Sequence, residues 1–383
     1  MIRKTLPLAL TILLVWTGLL PSYAQGGADA YTSYPLNLRA GPGVTYDSLT
    51  VLPAGVGLVL QGRSLDASWL LAQTDDSTRR GWVASLYLEF QAGFNPLDLP
   101  VTEEIIPYTP LADSESVTPF DHPLMVELDA VPVLPRIGGS VRQIFLRGQT
   151  LGNDPHVFAK VGDCNTVAPA FLNFFGTGAY DLGRYADLQL TIDFFTASPV
   201  NSFSEPSAAA HSGYVSSAVL DPAWADSTRC AAGLSPLECE YDRLHPSVAL
   251  IMFGLADIHW LSAEQYEQSM RQIVEISVSQ GVIPVLTTVP VWLGENDEAT
   301  LARRLEFNMI VVQIARDYGV PLVNFWRASQ SLPHSGLEGD LLHLTYGGDE
   351  VVLRGSEEQW GITLWNLLML QTLDALRRDV LSG

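Results

Sequence analysis

Apolar and polar positions along this chain change their period twice. Between residues 31 and 90 they alternate in short runs: Leu36 and Leu38 precede the turn Gly41-Pro42-Gly43, and Val56, Leu58 and Leu60 follow Pro53-Ala54-Gly55. Alternation with a period of two marks strands with one buried face, and Gly and Pro punctuate the turns between them. Ser68-Trp69-Leu70-Leu71-Ala72 and Arg80-Gly81-Trp82-Val83 flank a polar turn at 75–78, as the strands of a hairpin do. The pattern predicts a small all-β barrel over 31–91, in which Trp69 and Trp82 either fill the core or line a binding face.

From 95 to 135 the periodicity disappears. Eight prolines and many acidic residues predict an extended linker, bounded at 92–140. Beyond it short apolar runs at 157–161, 248–253, 282–286 and 321–325 read as strands, and helical periods lie between them. Ser262 caps a segment in which Tyr266, Met270, Ile273, Val274 and Val278 share one face, and Gly281 stops it. A second helix is expected over 299–318, ending at Gly319. A third, over 360–378, carries the stripe Ile362, Trp365, Leu368, Met369, Leu373 and Leu376, to be packed on the sheet rather than laid on a membrane. Strands alternating with amphipathic helices build a parallel sheet covered on both faces, here over 141–380.

The first 24 residues have a different pattern: Arg3 and Lys4, an apolar run over 6–20, then Ser22-Tyr23-Ala24. This predicts a secretory leader cleaved after Ala24. Pro7 and Pro21 bracket only about 13 residues, short of the ~20 a membrane span needs, so no transmembrane segment is expected after cleavage. The mature chain is expected to work outside the cytoplasm, secreted or associated with the cell envelope.

Composition narrows the ligand classes. With 383 residues, 47% hydrophobic and 16% charged, the chain can bury a core. Its 21 Lys and Arg against 42 Asp and Glu give a net charge of −21, and Lys4 and Lys160 are the only lysines. Such a surface repels phosphate backbones and anionic lipid, which excludes nucleic acid as a partner. No Gly-rich phosphate loop precedes a helix, the seven histidines form no helical metal pair, and neither cofactor nor metal is expected. Cys230 and Cys239 bracket a Gly- and Pro-containing turn and are expected to pair in an oxidising compartment, leaving Cys164 unpaired.

Chemistry in a parallel sheet collects in the loops after the strands' carboxyl ends. Val161-Gly162-Asp163-Cys164-Asn165-Thr166 follows the first strand, and Phe253-Gly254-Leu255-Ala256-Asp257 the second. After the fourth, Asp340 stands three residues before His343. That spacing brings a carboxylate under an imidazole, where it can fix the tautomer and stabilise the charged ring. A nucleophile, a base and an orienter are thus in reach of one another.

In order and strand context these three blocks resemble the Gly-Asp-Ser, Gly-x-Asn-Asp and Asp-x-x-His blocks of SGNH (GDSL-type) hydrolases, over roughly 143–373. The resemblance implies a flavodoxin-like, three-layer α/β sandwich and hydrolysis of acyl or acetyl esters, of small molecules or of envelope glycans or lipids. It implies Cys164 as nucleophile, His343 as general base and Asp340 as its orienter, with oxyanion or substrate contacts at Cys164, Gly213 or Ser216, Gly254 and Ala256. Two family residues are replaced: the serine by Cys164, and the oxyanion-donating asparagine by Ala256. A thiol at a helix N-terminus beside an imidazole can react as thiolate; the same cysteine can equally be an inert buried relic. The chain is therefore read as a thiol-based ester hydrolase or, alternatively, as an inactive SGNH-fold protein that binds cell wall or glycan; a redox or tethering thiol is a third reading. The segment over 31–91 resembles bacterial Src-homology-3-type domains in its Arg-x-Gly-Pro-Gly turn and late Gly-Trp-Val, which implies attachment to wall peptide or glycan, or a spacer.

Overall fold

The computed structural model describes residues 28–33, 36–43, 46, 48–52, 55–106, 122–294 and 297–382. The expected leader over 1–24 lies outside the described residues. So does the middle of the expected linker.

The N-terminal unit is a seven-stranded antiparallel sheet of β1 (Ala30–Thr32), β2 (Leu36–Arg39), β3 (Ser48–Leu52), β4 (Gly57–Arg63), β5 (Trp69–Thr74), β6 (Arg80–Ala84) and β7 (Leu88–Phe90). Their order across the sheet is β3-β2-β6-β5-β4-β1-β7. Leu52 from one edge strand and Leu88 from the other join Leu38, Leu58, Leu70 and Val83 in a single buried cluster, so the sheet curls over its own core. Trp82 is fully buried, and its indole N–H donates to Glu104 O (2.7 Å); Trp69 is half-buried.

The second unit begins with α1 (Pro123–Asp129) and α2 (Gly139–Leu151). It continues through β8 (Asp154–Gly162), α3 (Asn173–Thr177), β9 (Tyr180–Asp181), α4 (Gln189–Phe195), α5 (Pro236–Leu244), β10 (Pro246–Met252), α6 (Asp257–Trp260) and α7 (Ala263–Ser279). It closes with β11 (Ile283–Thr287), α8 (Glu298–Tyr318), β12 (Leu322–Val323), α9 (Phe325–Ser329), β13 (Val351–Val352) and α10 (Gly361–Leu376). The main sheet is parallel in the order β12-β11-β10-β8, and a parallel bridge between Gly162 and Ala210 adds a remnant strand outside β8. Every residue of β10 and β11 is buried, as expected where helices cover both faces. α7 starts on a Ser262–Gln265 capping box and buries Tyr266, Met270, Ile273 and Val274 on the sheet, the face the sequence marks. No helix among the described residues is long and apolar enough to cross a membrane.

Three expectations change. The linker is shorter at both ends than 92–140. At its start Val101 bridges Arg63, and Ile106 N–H donates to Ala40 O (2.8 Å), so residues 100–106 run along the barrel. At its end α1 buries Leu128, which packs with Val131 on Leu301, Leu305, Val312 and Trp326; the α/β unit starts near His122, the N-cap of α1, rather than at 141. Apolar side chains spaced by prolines lack periodicity, yet burying each contributes about 1.5–3 kcal/mol, enough to dock a short helix. The fourth strand stops at Val323 because Asn324 turns inward, accepts from Arg327 N and caps α9. Finally, no long helix follows Cys164, which sits on an isolated turn closed by Thr166 N–H on Asp163 O.

Candidate active site

The carboxyl ends of β8 and β10 and the loop 338–343 converge. Gly162, the last residue of β8, must be a glycine: a Cβ there would stand 2.1 Å from Thr166 Oγ1 and 2.6 Å from Met252 O. That close approach lets the chain turn at once and carry Cys164 out over the sheet end. The thiol is half-buried and unpaired; Cys230 and Cys239 are disulfide-bonded to each other.

Asp340 and His343 are brought together. Asp340 Oδ2 lies 2.5 Å from His343 Nδ1, and Oδ1 accepts from Leu342 N (3.0 Å) and His343 N (2.9 Å). Burial alone would raise the Asp340 carboxyl, but the imidazole and the two amides outweigh it and hold its pKa below the usual carboxylate range. Burial likewise opposes the charged imidazole. The hydrogen bond to Asp340 and the neighbouring Cys164 sulfur outweigh that, and its pKa lies well above the ordinary value. With Nδ1 held by Asp340, Nε2 is the ring nitrogen left for proton transfer.

The thiol itself is pushed up, first by burial and then by the neighbouring Asp163 charge, against the lowering effect of His343. The expected helix N-terminus, which would have lowered it, is absent at this turn. Asp163 is almost fully buried: Oδ1 accepts from Asn165 N (2.9 Å), whereas Oδ2 has no hydrogen-bond partner among the described residues, and burial raises its carboxyl to about 7.

The expected oxyanion residues are differently disposed. Gly213 is exposed at positive φ (88°) in the loop after the Ala210 bridge. Ser216 N–H and Gly254 N–H both donate to Asp257, at 2.7 Å to Oδ1 and 2.9 Å to Oδ2. Asp257 is fully buried, and burial raises its pKa in spite of these donors. Two of the expected backbone donors are therefore committed to a carboxylate. Gly254 takes φ 130°, open to glycine, and Ala256 follows it as the N-cap of α6 with no side-chain donor to offer. The N–H of Cys164 has no hydrogen-bond partner among the described residues and remains available.

Residue-type patterns do not mark Asn165, yet it ties the site together. Its Oδ1 accepts from Leu344 N (2.9 Å) and its Nδ2 donates to Leu342 O (3.0 Å), fastening the histidine loop to the cysteine turn. Its adjacency to Cys164 was the available signal; its partners, some 180 residues away, were not. Among the described residues, no group of three or more His, Cys, Asp or Glu is placed to hold a metal ion.

Residues 178–351 match the GDSL-like lipase/acylhydrolase family. The matched span includes Gly213, Ser216, Gly254, Ala256, Asp340 and His343 and begins downstream of Cys164. No curated protein matches the chain. Solved structures similar to it include a lipase/acylhydrolase from Enterococcus faecalis, 13% identical over 58% of this chain and 95% of that one, with a TM-score of 0.37. Others are the psychrotrophic esterase EstA from Pseudoalteromonas sp. (14%, 58% and 100%, TM-score 0.38) and the acetylxylan esterase Axe2 from Geobacillus stearothermophilus (14%, 58% and 95%, TM-score 0.36).

Proposed function

We propose that the GDSL-like domain is a thiol-based ester hydrolase, secreted or held at the cell envelope, that removes acyl or acetyl groups from small molecules or envelope glycans or lipids. The observation that carries this reading is the Asp340–His343 hydrogen bond at the sheet end, with the Cys164 thiol beside the imidazole. In the forward step His343 Nε2 takes the thiol proton while Sγ bonds to the acyl carbon. The tetrahedral oxyanion, met by Cys164 N–H, then collapses: the ester C–O bond breaks, and Nε2 returns the proton to the leaving alkoxide. Water repeats the sequence on the thioester and releases the acid. Burial and Asp163 raise the thiol and Asp340 raises the imidazole, so a ring that carries its second proton must lose it before it can act as base.

The alternative, a GDSL-fold binding protein without turnover, is favoured by one specific observation: Ala256 offers no donor, and Asp257 occupies the N–H groups of Ser216 and Gly254. Losing one oxyanion donor costs on the order of a hundred- to a thousandfold in rate. Hydrolysis of p-nitrophenyl acetate by the wild type, Cys164→Ala, Cys164→Ser and His343→Ala decides between them. Turnover abolished in both alanine variants supports the thiol hydrolase; equal background rates in all four leave the binding reading.

A further inference from the structure

We infer that the N-terminal barrel is a working part of the candidate site: Arg39 of the barrel, acting through Glu338, positions the loop that carries Asp340 and His343. Arg39 ends β2, opposite Trp82 of β6, and its side chain is only 6% exposed. Its Nη1 donates to Tyr46 O (2.9 Å) and stands 3.7 Å from Glu338 Oε2, whose own side chain is 12% exposed. A guanidinium so far withdrawn from water on a small barrel needs an opposing charge, and Glu338 supplies it from the other unit.

Glu338 is the residue that closes the histidine loop. Its N–H donates to His343 O (2.8 Å), its C=O accepts from Leu341 N (2.9 Å), and Leu337 bridges Leu344 just outside. Within the loop Leu341 takes a positive φ (55°), a conformation a non-glycine residue keeps only when its surroundings hold it. Asn165 grips the loop at Leu342 and Leu344 from the cysteine side; the ion pair to Arg39 grips it at Glu338 from the barrel side. Arg39 touches no reacting atom and is a positioning residue. A shift at Glu338 passes through its backbone hydrogen bonds with His343 O and Leu341 N into the loop that carries the imidazole, where a displacement of about 1 Å can cost up to a hundredfold in rate.

The test uses the full chain and reads the ring directly. The proton shared between His343 Nδ1 and Asp340 gives a low-field proton NMR signal, assigned by its loss in His343→Ala. Arg39→Ala and Glu338→Gln, each verified as folded by circular dichroism, are expected to shift or broaden that signal, and Arg39→Lys to retain it. Hydrolysis of p-nitrophenyl acetate should fall about tenfold in kcat in the same two variants with KM little changed. This kinetic arm rests on the hydrolase reading; the NMR arm does not, so a protein without turnover whose signal still responds to Arg39 overturns that reading and not this one. An unmoved signal in both folded variants, or none in the wild type, overturns the inference. Should Arg39→Ala fail to fold, the near-isosteric Glu338→Gln, on the other unit, decides alone.

Discussion

On one side of Cys164 lies the loop 338–343, on the other the turn that leads from β10 into α6, and the two treat backbone N–H groups in opposite ways. In the histidine loop, the amides of Leu342 and His343 converge on Asp340 and so serve the imidazole. At the β10–α6 turn, the amide of Gly254 and that of Ser216, from the loop after the Ala210 bridge, converge on Asp257, a buried carboxylate with no imidazole partner among the described residues. The first wall's amides fix the carboxylate that holds the imidazole, whereas the second wall's amides are taken up by Asp257. On the proposed hydrolase reading, the wall that would move protons is intact and the wall that would stabilise negative charge is short of donors.

The largest expected effect lies on the proton side. His343→Ala should lower kcat/KM for an aryl acetate on the order of a thousandfold, a general base being worth roughly 10²–10⁴. The opposite wall is sharpened by a gain: Ala256→Asn restores a side-chain donor at the head of α6 and should raise kcat about ten- to a hundredfold without altering KM, seen in the same assay. If the rate is unchanged, the shortage of donors is not what limits this site. Because burial and Asp163 raise the thiol while Asp340 raises His343, the rate should climb with pH through and above neutrality, by up to about tenfold per unit while one proton is being lost. A plateau below pH 6 would contradict this.

Beneath both walls, Asp163 offers a measurement of stability. Its carboxyl is raised from the ordinary 3.8 to about 7, so the unfolded chain ionises from about pH 4 while the folded chain keeps the proton. Stability from this group is complete below pH 4 and is lost as the pH rises to about 7. Asp163→Asn should therefore gain up to about 4 kcal/mol over the wild type at pH 8 and little at pH 4, in urea titrations at both. The smallest effect concerns the disulfide. Cys230 is joined to Cys239 of α5, the helix whose Glu240 accepts from Ala208 N beside the Ala210 bridge. Its reduction should cost about 2 kcal/mol and leave the Asp340–His343 NMR signal in place, since it loosens only the wall that signal does not report.

The sheet was legible because buried parallel strands are uninterrupted apolar runs, and α7 because its cap and its stripe agree. Asp340 and His343 were legible because three residues of sequence hold the whole interaction. What pattern could not reveal is long-range: Asn165 to Leu344, Ser216 to Asp257 and Arg39 to Glu338 join segments whose spacing carries no period. The start of the α/β unit was misplaced for a related reason. Prolines make residues 123–138 look like a tether, while Leu128 and Val131 find their partners on α8 and α9.

Lysine usage has a practical consequence. Lys160 is the one lysine among the described residues, 8% exposed on β8, with its ammonium donating to Phe203 O (2.9 Å) and its pKa lowered by burial to about 8. An amine-acylating reagent can reach it only when the strand's outer edge comes away. Labelling at this position, read by mass spectrometry, therefore times the opening of the sheet a few residues from the thiol, without any engineered probe.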